Sequence, residues 1–191
     1  MRKLNILFLD WQISHNEIGN ALSCKLNSSI FNLNKILIEQ IRYNDSLGKE
    51  TRKVLESGKM LSTELIGRFI KRNLKATDKN LLFIEYPKTI KQFDGLKKIL
   101  KDENIRLESI WYFQHREPNE FMNDYFKKQF RKIWIDEDEL IQKWKINFTK
   151  KREQIAEMQS EVKNLKWKII EVDYDDISTQ EHIKRKIKDC A

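Results

Sequence analysis

The chain has 191 residues, enough for one compact domain with a substantial core. Hydrophobic residues make up 40% and charged residues 35%, and no stretch approaches the eighteen or so consecutive apolar residues of a membrane-spanning helix, so a membrane span is excluded. The formal net charge of +8 admits nucleic acid, an anionic surface or an acidic partner, but 29 acidic residues interleaved with 37 basic ones leave a plain solvated surface standing beside them.

Glycine (5) and proline (2) are scarce, so helices should dominate. Leu4 to Leu9 is an apolar run broken only by Asn5, which reads as a strand buried on both faces and not as a signal peptide. A helix is expected near Glu17 to Lys25, then a short strand from Ser29 to Phe31. Asn34 to Tyr43 places Ile36, Leu37 and Ile41 on one helical face. A helix from Lys49 to Ser57 closes at Gly58, and Ser62 caps the next, Thr63 to Leu74. Leu81 to Tyr86 is a second strand, Thr89 to Leu100 a helix, and Ile110 to Phe113 a third strand. Pro118 suits the first turn of a following helix. A long helix should run from Asp136 to about Val162 with a stripe of Leu140, Trp144, Phe148, Ile155, Met158 and Val162. Trp167 to Val172 is the last strand, and Ser178 with Glu181 forms a capping box for a final basic helix. Strands alternating with helices predict an α/β fold: a three-layer parallel sheet of about five strands flanked by helices.

The stretch from Leu47 to Leu100 is similar to the nucleoside-monophosphate kinases of the adenylate kinase family. Gly58 to Ile66, reading Gly-Lys-Met-Leu-Ser-Thr-Glu-Leu-Ile, resembles the turn between two monophosphate-binding helices of that family, and Ile84-Glu85-Tyr86-Pro87-Lys88-Thr89 resembles its Asp-Gly-Phe-Pro-Arg-Thr strand end. Gln92 falls where the family has a base-facing glutamine, and Lys35-Ile36-Leu37-Ile38 takes the place of its Asp-Met-Leu-Arg. The resemblance implies one adenylate kinase-like domain over 1–191, with a monophosphate-binding helical subdomain at 34–74 and a short lid remnant at 127–136.

Phosphoryl transfer rests on positioning and on positive charge around the moving phosphate. A phosphate loop of the form G-x-x-x-x-G-K-[ST] supplies backbone N–H groups and a lysine. Here the corresponding segment, Asp10 to Ile18, has neither glycine nor lysine, and Asn16 stands at the lysine place. Asp10, Trp11, Ser14, His15 and Asn16 therefore read as a vestigial phosphate loop. Ile38 and Trp144 stand where the resemblance implies arginines, and Lys88 and Gln92 are what remains to hold a monophosphate anion or its base. His15, His115 and His182 are too dispersed for a metal site, and neither metal nor cofactor is expected. The tryptophans suit core packing better than a stacking platform.

These residues predict a non-catalytic relative, not an enzyme, that acts as a structural or interaction subunit among other protein subunits, for example of an organellar or cytoskeletal complex, without binding nucleotide. Two alternatives stand beside it. One is a divergent nucleoside-monophosphate kinase or nucleotide-binding regulator with a substitute cationic cradle from Lys88, Arg116 or Arg131. The other is a basic nucleic-acid-binding module. Cys24 and Cys190 match no metal or redox spacing, so an intracellular, reducing compartment is expected, with cytoplasm, cilium or cytoskeleton and mitochondrion unseparated.

Overall fold

The computed structural model describes residues 1–10, 13–42, 45–58, 61–75, 77–116, 118, 137–172 and 185–188. Trp11, the lid interval at 127–136, Trp134, Arg131, His182, Cys190 and the capping box at Ser178 and Glu181 lie outside them, as does nearly all of the helix expected at Pro118.

The chain folds as β1 (Arg2–Leu9), α1 (His15–Leu26), β2 (Ser28–Asn32), α2 (Leu33–Arg42), α3 (Ser46–Glu56), α4 (Thr63–Leu74), β3 (Asn80–Ile84), α5 (Ile90–Asp102), β4 (Ile105–His115), α6 (Glu137–Glu161) and β5 (Lys166–Val172). The strands form one five-stranded sheet in the order β2-β3-β1-β4-β5, and every pairing is parallel. This is the adenylate kinase-like α/β architecture expected from the sequence.

The two-residue period of a strand divides the core between the faces of the sheet. Leu4, Ile6 and Phe8 of β1 join Leu81, Phe83, Ile110 and Tyr112 beneath α4, α5 and α6. Leu7 and Leu9 join Leu82, Ile84, Trp111 and Phe113 beneath α1 and Ile187. Both faces of β1 are thus covered, which is why its sequence is apolar without alternation. A smaller cluster of Leu47, Leu65 and Phe69 ties α3 to α4 between β2 and β3.

Helix ends follow local chemistry. Ser62 accepts from the Leu65 N–H at 3.1 Å, Thr89 from the Gln92 N–H at 3.3 Å, and Asp45 from the Gly48 N–H at 2.7 Å. Past the end of α3, Gly58 adopts φ +70°, a conformation cheap only without a Cβ.

β4 is much longer than the run from Ile110 to Phe113 suggests. Its first half, with Arg106, Glu108 and Ser109, carries a bulge: Leu4 pairs with Leu107, but Asn5 pairs with Ser109. The extra residue, Glu108, turns to Lys3 and Arg106, while buried Ser109 donates to Asn5 Oδ1 at 2.6 Å and accepts from Trp111 Nε1 at 2.9 Å. Polar residues interrupt the apolar pattern because they satisfy one another inside the sheet.

Within the larger core, Phe31 and Phe83 stack with ring centroids 4.2 Å apart. Replacing the fully buried Phe83 with alanine should cost about 3–5 kcal/mol. Urea denaturation should show this as a lower midpoint at unchanged slope.

Candidate functional site

The connections place a crevice above β1 and β3. The chain leaves β1 through α1, passing over β3 towards β2, and leaves β3 through α5, passing over β1 towards β4. The two helices lie on opposite faces, so the carboxyl ends of β1 and β3 open between them, the place where open α/β sheets take ligands. A cleft of ≈ 550 Å³ lies there. Its floor is Leu9, Asp10 and Glu85, one side is Ile13, Ser14 and His15, and the other is Trp144, Asn147, Phe148 and Lys151 of α6.

Asp10 follows β1 with only 1% of its surface exposed. A buried carboxylate needs partners. Tyr112 donates its phenol to one oxygen at 2.7 Å, and the His115 N–H donates to the other at 2.9 Å. Arg152 of α6 donates to that second oxygen from Nε at 3.1 Å and from its terminal nitrogen, and also reaches the His115 carbonyl at 2.8 Å. Burial and the neighbouring Asp10 push the Tyr112 phenol far up, so it stays a donor. Asp10 is therefore committed to holding β1, β4 and α6 together.

Glu85 follows β3 with φ +58°, a left-handed conformation unusual for a side chain with a Cβ. Its backbone N–H donates to the Leu7 carbonyl at 2.9 Å, and its carboxylate accepts from the Leu9 N–H at 2.7 Å. Lys151 pairs with the same carboxylate at 2.6 Å and donates to the Leu9 carbonyl. His15 Nε2 lies 3.9 Å from Glu85. Burial lowers the His15 pKa below its ordinary 6.5; Glu85 opposes that, and Lys151 and Lys88 reinforce it. Lys151 and His15 thus approach one carboxylate beyond the end of β1.

Ser14 is the N-cap of α1, accepting from the Glu17 N–H at 3.2 Å, so His15 and Asn16 are the first helical residues. The first N–H groups of a helix have no intrahelical acceptor and favour an anion. Asn16 faces a second cleft of ≈ 380 Å³ between α1, β2 and α2, lined also by His15, Asn20, Lys35, Glu39 and Ile84. His15 lines both clefts. Lys88 is exposed near His15, and Gln92 folds back, its Oε1 accepting from the Lys88 N–H at 2.8 Å. Arg116 pairs with Glu171 at 3.5 Å, beyond the end of β4. Among the described residues no cluster of His, Cys, Asp or Glu could hold a metal ion, and no helix is long and apolar enough to cross a membrane.

Lys151 and Arg152 were not among the candidates in the sequence. A helical stripe read for core residues passes over them, since Ile155 and Met158 enter the core while Lys151 and Arg152 reach the strand ends. The one available signal was adjacency: the cations Lys150, Lys151 and Arg152 come about one turn before Ile155, which is buried.

Asp10→Asn should leave the partly buried Arg152 without its counter-charge and lower stability by about 3 kcal/mol. In the double variant Asp10→Asn/Arg152→Met the two losses should fall short of additivity, measured by urea denaturation of all four proteins.

No protein-family model matches the chain. Individual proteins do. It is 26% identical over 111 residues to an adenylate kinase of Prochlorococcus marinus (strain MIT 9301), covering 58% of this chain and 61% of that protein. It is 26% identical over 98 residues to an adenylate kinase of Corynebacterium urealyticum (50% and 54%) and 34% identical over 73 residues to one of Thermotoga petrophila (37% and 33%). The matches span between about a third and three fifths of the length of these relatives. They correct two expectations. These relatives are named for a catalytic activity, so neither a non-catalytic structural subunit nor the exclusion of enzyme function stands. The error lay in inferring the whole site from its loop, when Lys151 of α6 also lines the cleft beside Ser14 and His15. In sequence and in fold, this chain resembles the adenylate kinases.

Proposed function

We propose that the chain is a divergent nucleoside-monophosphate kinase, moving a phosphoryl group from a nucleoside triphosphate to a nucleoside monophosphate. The observation that carries this reading is His15, which lines two adjoining clefts at the carboxyl ends of a parallel sheet. The donor sits in the larger cleft, over Leu9 and Glu85, and the acceptor in the smaller, between α1 and α2. The relatives' printed name is consistent with two nucleotide sites.

Lys151, Lys88 and His15 take the part of the loop lysine and arginines, meeting phosphate charge from α6, the β3 end and the start of α1. The acceptor's phosphate oxygen attacks the terminal phosphorus of the donor. The bond to the leaving diphosphate breaks, and no proton need move, because the attacking oxygen is already ionised. Catalysis then consists of holding the two phosphates in line and neutralising the charge between them. To admit the donor, Lys151 exchanges its pairing with Glu85 for the phosphate.

A coupled assay of diphosphate formation from ATP, AMP and Mg²⁺ tests this. Turnover should depend on Lys151, with Lys151→Ala lowering kcat/KM by about 100-fold. Absence of turnover in the wild-type protein, or turnover unaffected by Lys151→Ala, overturns the reading.

The pH dependence has a defined sign. Burial keeps His15 neutral at neutral pH, and a bound dianion beside it favours the imidazolium, so binding takes up a proton. Affinity for sulfate, whose own charge is constant in this range, should rise as pH falls from neutrality, until His15 is protonated before binding. Calorimetry of His15→Gln should show a flat profile over the same range.

A further inference from the structure

The α6 side of the larger cleft does more than supply charge. Trp144, Phe148 and Lys151 stand at i, i+4 and i+7, on one face of the helix, and all three line the cleft. Asn147, one turn before Lys151, lines it too. From Trp144 to Lys151 the helix rises about 10 Å, so the wall grades from aromatic to cationic along its length. The Arg152 guanidinium lies 4.9 Å from the Phe148 centroid and is itself fixed to Asp10, which makes Phe148 a held ring. Across the cleft, Leu9 and Ile13 are buried apolar residues.

Phosphate alone has no use for such a wall. A cleft of ≈ 550 Å³ with an apolar, aromatic end and a basic end matches a ligand that is planar and aromatic at one end and anionic at the other. An indole offers a π face to any base, and a side-chain amide offers both a donor and an acceptor to a base edge.

We infer that the Trp144–Asn147–Phe148 face of α6 is a nucleobase platform. The base stacks on Trp144 against the edge set by Phe148, Asn147 hydrogen-bonds its rim, and the phosphates run down the helix towards Lys151 and His15. This rests on the nucleotide reading above and adds to it the element that recognises the base.

Calorimetry with ATP and with inorganic pyrophosphate separates the two ends of the cleft. Trp144→Ala should weaken ATP binding by about tenfold to a hundredfold while leaving pyrophosphate binding unchanged. Trp144→Phe, which keeps a stacking face, should retain most of the ATP affinity, and Lys151→Ala should weaken both ligands. Circular dichroism melts establish that the variants are folded. The platform is overturned if Trp144→Ala binds ATP as the wild type does, or loses ATP and pyrophosphate equally. Failure of the wild type to bind either ligand overturns the nucleotide reading itself, whereas base-dependent binding without phosphoryl transfer overturns only the kinase activity.

Discussion

A carboxylate with 1% of its surface exposed has to find its compensation inside the protein, and Asp10, just past β1, finds it in three partners from two elements. Tyr112 and the His115 N–H reach it from β4, and Arg152 reaches it from α6. Hydrogen bonds to charged groups contribute more than neutral ones, and removing one partner leaves the others unmet. The carboxylate therefore fixes where α6 meets the sheet. Everything α6 brings to the cleft, from Trp144 to Lys151, is placed by the contact of the next residue, Arg152, with Asp10. A negative charge at this point would oppose a phosphate in solution, but here it is consumed by the scaffold.

The two clefts differ in their linings. The larger has the apolar and aromatic surface, with lysine at one end; the smaller mixes amides, a lysine and a carboxylate with isoleucines from β2, α2 and β3. They share His15 because α1 begins between the carboxyl ends of the strands that floor them. Its imidazole is kept neutral by burial and by two nearby ammonium groups, and is drawn the other way only by Glu85. Small changes of charge around it, a bound anion above all, alter its protonation near neutral pH.

Much of the scaffold was written locally. The apolar run of β1, the serine before α4, the glycine after α3 and the threonine before α5 each act within a few residues, so the sequence reveals them. The lower half of β4 was hidden, since a bulge and a buried serine–asparagine–tryptophan chain replace the apolar pattern that marks a strand. At the site, His15 and Lys88 were visible as odd residues at expected places, but Lys151 was not. Its role depends on a contact with Leu9 that spans 142 positions in the chain, and no local pattern encodes such a meeting. Asp10 was visible as a residue, although its burial is what turns it from a repulsive charge into a clamp.

Glu85 holds a backbone conformation that costs an ordinary residue on the order of 1–2 kcal/mol and that glycine adopts without penalty. Glutamate and glycine codons differ only at their second base. Relief of this strain is thus one nucleotide substitution away, and such a substitution would also remove the carboxylate that accepts from Leu9 and pairs with Lys151. The cleft would widen, its lysine would lose its resident counter-ion, and the Leu9 N–H at the end of β1 would lose its acceptor. The genetic distance between an occupied mouth and an open one, in this protein, is a single transition.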